Sequence, residues 1–366
     1  ETNSVFARHK PYTRTVIWHI NKNNMKTTLI VGNGFNYMVE SWIKNYPEGK
    51  IPNHVNESKD DIATRVNEIT QLWKKFNKIF KEIKKKNPNL NDEELIRIIY
   101  SVIDLFSSMP GLEKIMTESQ LKNLISLFEN FLLDKIKEIA LEFKNHHEDT
   151  GYKNIKRLFP DFGRQFNDLI KEKKIDKLSI YTTNYDGILD TLLTDEPYGF
   201  IFNDGFGTTK ESDELLEFYD YNFNYNRIIC HLHGSYLYKR YFGSTYKLKT
   251  NIENTDPIMV FNNPDMKESI IRRDSILNRY LNSLSNDISN TDKIIIFGNS
   301  MQNEPHIKEI FQNYGSRYNL SVYVCSPNPN LITKEIQKYF IKDVIEINTN
   351  GMTDMNRFLE KMKHII

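Results

Sequence analysis

The chain has 366 residues, with 49 Lys and Arg against 48 Asp and Glu, a formal net charge of +1. That length can bury a full core, as one large domain with an insertion or as two modest ones, and the near-zero charge excludes an overall field drawing the protein to nucleic acid or an anionic membrane. Only Cys230 and Cys325 are present, so neither a disulfide framework nor a four-cysteine zinc module can form, and a reducing cytoplasmic setting is expected.

Residues 1–24 precede Met25, after which an apolar strand begins at once. They read as an upstream extension, an alternative start or an appended remnant, and no signal-peptide core or membrane-spanning apolar run is found. The β-branched run Thr27-Thr28-Leu29-Ile30-Val31 predicts a first strand that ends at Gly32 and opens into a helix. From about residue 58 to 172 the period becomes helical. Leu121, Leu124, Ile125, Phe128, Leu132, Ile136, Ile139 and Phe143 recur at steps of three and four, which predicts one long amphipathic helix. Another helix is expected to start at Asn91, a capping residue with Glu94 three positions on. Before it, Lys84-Lys85-Lys86 reads as a solvated helix end. This block, over 49–164, is expected to be a helical insertion in a domain spanning 25–366.

Strand signals return at Leu178–Tyr181, Arg227–Cys230, Ile258–Phe261, Lys293–Phe297, Ser321–Cys325 and Val344–Ile347, and Asp354–Ile366 predicts a closing helix. Several runs are continuously apolar, as strands covered on both faces should be. Strands alternating with helices imply an α/β fold, a doubly wound parallel sheet of Rossmann-like type. The Asn-rich stretch Tyr221–Asn226 reads as loop, and Pro160–Arg164 as a helix start.

Polar clusters follow these strands, and open parallel sheets gather ligand groups at their carboxyl ends. Gly32-Asn33-Gly34-Phe35-Asn36 would let backbone and a helix N-terminus approach a phosphate, although Tyr37 stands where a third glycine would fall. Thr182-Thr183-Asn184-Tyr185-Asp186 supplies an amide and a carboxylate, groups that also favour capped turns for local reasons. His231 and His233, two apart, are expected on one face of a strand. One ring is read as structural and the other, beside Gly234, as a general base; no recognisable spacing of further ligands suggests a metal. Gly298-Asn299-Ser300, and Ser326 with Asn328 after the next strand, offer N–H groups and hydroxyls to a phosphate or ribose.

In this order the clusters resemble those of the sirtuin superfamily, especially its bacterial anti-phage defence members. Gly32-Asn33-Gly34 stands for the family's Gly-Ala-Gly, Thr182–Asp186 for Thr-Gln-Asn-Ile-Asp, His233-Gly234 for His-Gly, and Gly298-Asn299-Ser300 for Gly-Thr-Ser. Ile296–Ile307 resembles the Gly-x-Ser-x-x-Asp-x-His-Ile form of defence relatives, with Glu304 as the acidic residue. The likeness covers roughly 25–48 and 165–350. AbiH-type abortive-infection proteins share the Gly-Asn-Gly-Phe opening and a His-x-His-Gly segment. The family's zinc-ribbon cysteines and Asp-Phe-Arg segment are missing, and Thr183 replaces its glutamine, which argues against protein deacylation and leaves cleavage of the cofactor itself.

The resemblance implies NAD as substrate and no metal, with hydrolysis to nicotinamide and ADP-ribose. His233 would be the base, Asn184 the water-orienting amide and Asp186 a carboxamide contact or brace. Gly32, Asn33, Gly34, Phe35, Asn36, Thr182, Thr183, Gly234, Gly298, Asn299, Ser300, Ser326 and Asn328 would cradle the nucleotide. A defence effector of this kind would be held in check by homo-oligomerisation or by a separate sensor protein. The other class of function weighed is a module that binds NAD or ADP-ribose without breaking it.

Overall fold

Five largely buried apolar runs and the more exposed edge run Val344–Asn348 form one parallel sheet, covered on both faces except at that edge. The structure is a computed structural model describing residues 25–72, 80–86, 88–108, 111, 116–148, 150–195, 199–200, 202–208, 215–223, 225–249, 256–314, 320–338 and 343–366; the extension at 1–24 lies outside them. Its strands are β1 Met25–Val31, β2 Ile175–Thr182, β3 Thr194–Asp195, β4 Gly199–Phe200, β5 Phe206–Thr208, β6 Leu215–Phe218, β7 Arg227–His231, β8 Gly234–Tyr241, β9 Ser244–Leu248, β10 Pro257–Met259, β11 Lys293–Phe297, β12 Ser321–Ser326 and β13 Val344–Asn348.

The parallel sheet runs β13-β12-β11-β1-β2-β7. Counting its six strands in chain order from the β7 edge gives 3-2-1-4-5-6, the Rossmann-like order, whose direction of winding reverses between β1 and β11. Alternate residues feed two cores: Leu29, Val31, Ile295 and Phe297 pack on one face, and Ile30, Ile294 and Ile296 on the other. The first core takes Phe35 and Val39 from the helix Gly34–Lys44, Phe166 from Phe162–Glu172 and Phe358 from Met355–Ile365. The second takes Leu277 and Leu281 from Ser275–Asn290 and Phe311 from Pro305–Tyr314. Helices on both faces make the sheet doubly wound.

Between β1 and β2 the chain is helical, with Lys59–Thr70, Lys81–Lys86, Asp92–Ser108, Glu118–Glu148 and Thr150–Leu158 preceding Phe162–Glu172. The expected capping box forms in both directions, since Glu94 N–H donates to Asn91 Oδ1 at 2.9 Å and Asn91 N–H to Glu94 Oε2 at 3.2 Å. The lysine run does end its helix, and Lys84 reaches Asp92 at 2.6 Å. Among the described residues no helix is long and apolar enough to cross a membrane.

Two expectations need correction. Ile258–Phe261 does not join the parallel sheet: β10 pairs antiparallel with β8 in a second, five-stranded sheet of order β10-β8-β9-β6-β5. A short apolar run has the same period in either setting, so only the partner strand decides. The stretch beginning at Tyr221 is not all loop, because Asp220–Phe223 forms a helical turn seating Phe223 against Phe218 and Tyr280.

Candidate functional site

Cys325, Phe297, Val31, Thr182 and His231 form one row across the sheet, each paired in register with the next. The residues that follow them therefore leave the sheet at one level, and the sequence clusters meet along its carboxyl edge. At the β1–β11 reversal the two glycine turns interlock. Gly34 N–H donates to the Gly298 carbonyl at 2.9 Å, and Gly32 N–H to the Phe297 carbonyl at 2.9 Å. A Cβ on Gly32 or Gly34 would meet Asn299 or Gly298 backbone at 2.7 and 2.5 Å. The glycines thus serve first to let two chain turns touch.

Asn36, Asn184 and Asp186 form a buried polar cluster beside this crossing. Asn36 Nδ2 donates to Asp186 Oδ2 at 2.7 Å, and Asn184 Nδ2 to Asn36 Oδ1 at 3.4 Å. Asp186 Oδ1 accepts from Ile188 N–H at 2.9 Å, capping the helix Ile188–Leu193. Burial raises the Asp186 carboxyl above its ordinary value despite these donors. Thr182 Oγ1 accepts from Asn184 N–H at 3.0 Å, and Asn299 Nδ2 donates to Thr183 Oγ1 at 3.0 Å, so the β2 and β11 loops are joined.

Other sequence candidates lie elsewhere. Phe35 turns into the core, edge-on to Trp42, Phe297 and Phe358, because the first inward position of its helix faces the sheet. Ser300 Oγ accepts from Gln302 N–H, and Ser326 Oγ from Asn328 N–H, local turns outside the Asn36–Asn184–Asp186 cluster. Gly234, at φ +80, opens β8 where a Cβ would strike the Ile258 carbonyl.

The two histidines do not act together. His231 ends β7, and the turn at Leu232-His233 breaks the strand alternation that would have aligned the rings. His231 Nε2 meets Asp190 Oδ1 at 3.0 Å. Burial works against charge on both, but their mutual attraction wins, lowering Asp190 to about 2 and raising His231 above its ordinary value. His233 turns to different partners. Its Nε2 lies 3.0 Å from Glu304 Oε2 and 3.2 Å from His306 Nε2. Strands β7 and β11 stand about 14 Å apart, three steps of roughly 4.8 Å, so the His233 turn must lean toward the 298–304 loop and the first turn of the helix Pro305–Tyr314 across the ends of β1 and β2.

Lys267 completes this cluster, with Nζ 2.8 Å from Glu93 Oε1, 3.7 Å from Glu304 Oε1 and donating to the Asn303 carbonyl at 3.0 Å. Burial alone would raise Glu304, yet His233 and Lys267 hold its carboxyl far below the usual range. Burial lowers His233 and takes His306 down to about 3, so both rings are neutral near pH 7. Glu93 is raised by burial to about 7, since Lys267 offsets only part of that cost and the neighbouring Glu304 charge adds to it.

Asn184 and His233 are 8 % and 2 % exposed and belong to separate hydrogen-bonded groups. Three contacts tie the helical stretch to the strand-end loops and the neighbouring helix: Asn33 Nδ2 donates to the Thr70 carbonyl at 3.1 Å, Tyr152 Oη to the Asp186 carbonyl, and Glu93 pairs with Lys267.

Glu93 and Lys267 were not among the residues picked out by sequence, and Glu304 and His306 entered only through the Ile296–Ile307 likeness, with no role assigned. Glu304 and His306, two apart just after a strand-end turn, repeat the His231–His233 spacing and are the findable signal. Lys267 sits in an amphipathic helix like any surface lysine, and nothing local marks it. The chain matches no family model and no curated protein.

Proposed function

We propose that the chain hydrolyses NAD at the nicotinamide–ribose bond, as an NAD-depleting effector of bacterial anti-phage defence held in check by a second copy or a separate sensor protein. The observation that carries this reading is the reversal of winding between β1 and β11, where dinucleotides bind in sheets of this order, with the Asn36–Asn184–Asp186 cluster directly beside it. In the reaction the C1′–N bond breaks with its electron pair leaving on nicotinamide, which departs neutral, so no strong acid is needed. Water adds to the oxocarbenium-like carbon and passes its proton to a base. Asn184 orients that water, Asp186 contacts the carboxamide, and His233 is the base, neutral near pH 7.

Control is supported by the three tethers from the helical stretch onto the strand-end loops and the neighbouring helix. A surface for a second copy or a sensor is supported by exposed Ile98, Val102 and Leu105 on one side of Asp92–Ser108, and by Leu124 and Leu127 on Glu118–Glu148. Opening those tethers would admit substrate to residues that are now buried.

One observation favours a second reading, a module that holds NAD or ADP-ribose intact: His233 Nε2 is engaged by Glu304 and His306 rather than by Asn184. The deciding experiment follows nicotinamide and ADP-ribose by chromatography after incubation with NAD, for wild type, Asn184→Ala and His233→Ala. Release by wild type and its loss in both variants supports hydrolysis. Saturable NAD binding that persists in His233→Ala, with no nicotinamide from any form, selects the binding module.

A further inference from the structure

His233 Nε2, Glu304 Oε2 and His306 Nε2 form a triangle with sides of 3.0, 3.2 and 3.7 Å. A point about 1.9 Å from all three atoms lies in the plane of that triangle. An ion standing slightly above the plane would then have bonds of about 2.0–2.1 Å, the lengths zinc makes to imidazole nitrogen and carboxylate oxygen. We propose that His233, Glu304 and His306 bind a divalent transition cation of zinc's type, leaving its remaining position to water.

Three further observations point the same way. Glu304 Oε2 is buried and accepts no aligned hydrogen bond, although His233 Nε2 is only 3.0 Å away. Such a lone pair is costly unless something is there to take it. His233 Nε2 and His306 Nε2 face each other at 3.2 Å, where at most one of the two nitrogens can donate a proton to the other. The nearest charges are three carboxylates, Glu304, Glu93 and Glu268, against Lys267 and Arg272, which leaves the surroundings one positive charge short when all three carboxylates are ionised. His306 also lines a surface cleft with Glu268, Arg272, Asn282 and Glu309.

Two histidines and one carboxylate around an open position form a donor set that activates bound water. The inference stands on the triangle alone and is independent of what nucleotide the crevice takes. It bears on His233 all the same, since a bound cation occupies the lone pair that base catalysis would use.

The purified chain, stripped with a chelator, is dialysed against zinc and then against metal-free buffer, and bound metal is counted by elemental mass spectrometry without any NAD present. The expected result is about one zinc per chain for wild type, with affinity at least about 10-fold weaker in Glu304→Gln and in His306→Ala. Wild type that retains no zinc overturns the proposal, as does undiminished binding in both variants. Cobalt titration of wild type keeps the question decidable if the variants misfold. A four-coordinate cobalt spectrum supports the site, and the spectrum of the hydrated ion refutes it. Nicotinamide release is assayed separately, so loss of the metal and loss of the NAD reading are told apart.

Discussion

Gly34 and Gly298 meet backbone to backbone where the sheet reverses its winding, the Gly34 N–H donating to the Gly298 carbonyl at 2.9 Å, with Gly298 at φ +61. A Cβ on Gly298 would stand 2.6 Å from the Gly34 Cα, with backbone rather than a yielding side chain in its way. Gly298→Ala is therefore expected to cost about 2–4 kcal/mol, from overpacking of 1–3 kcal/mol plus left-handed strain of about 1 kcal/mol. Urea unfolding measures it. An unchanged midpoint would mean that the two turns are not locked together.

The His231–Asp190 pair sets a pH window for stability. Asp190 falls from an ordinary 3.8 to about 2, so its contribution is present above about pH 4 and is lost as pH drops toward 2. His231 moves the other way, above an ordinary 6.5, so its contribution is full below that value and fades as pH rises through the raised one. Lys247 and Asp204 flank the pair and pull His231 in opposite directions. Unfolding free energy should carry a plateau from about pH 4 to 6.5 from this pair. Asp190→Asn should remove the pair's part of the slopes and cost roughly 3 kcal/mol at the plateau, because His231 is left buried without its counter-charge. Identical pH profiles for the two proteins would contradict the pairing.

Asn36 is the donor that Asp186 Oδ2 depends on, at 2.7 Å. Replacing it with alanine leaves that carboxylate oxygen short of a partner at a cost of about 1–3 kcal/mol. If the crevice hydrolyses NAD, Asn36→Ala should also slow nicotinamide release by about 10- to 100-fold through misplacement of Asn184 and Asp186. Comparing release with the unfolding midpoint at a temperature where the variant stays folded separates the two effects. Full activity in a folded Asn36→Ala protein would remove the cluster from the mechanism.

Leu127 is 68 % exposed on the Glu118–Glu148 helix, and Leu105 is 56 % exposed on Asp92–Ser108. Large apolar side chains left in water on neighbouring helices favour association. If that surface joins two copies, sedimentation velocity should give a species larger than one chain for wild type and a single chain for Leu105→Glu with Leu127→Glu. Equal sedimentation of both forms assigns the surface to a separate protein or to no partner.

Much of the architecture was readable before any coordinates. A strand covered on both faces has to be apolar at successive positions, which is why Ile294, Ile295 and Ile296 announced a buried parallel strand, and the Asn91–Glu94 box announced a helix start that forms as written. These are local signals, carried by neighbours in the chain. The polar clusters at the strand ends were legible for the same reason, since parallel strands all deliver their next residue to one edge.

The tertiary structure alone decided what those clusters touch. His233 and His306 are 73 positions apart, and Lys267 and Glu93 more than twice that, so no periodicity could pair them. It also parted His231 from His233 by one turn, sent Phe35 into the core and moved β10 into an antiparallel sheet. The reason is physical: a residue's period reports which side of its own element is buried, whereas the identity of its partner depends on strand order and loop path, which are settled by packing the whole chain at once.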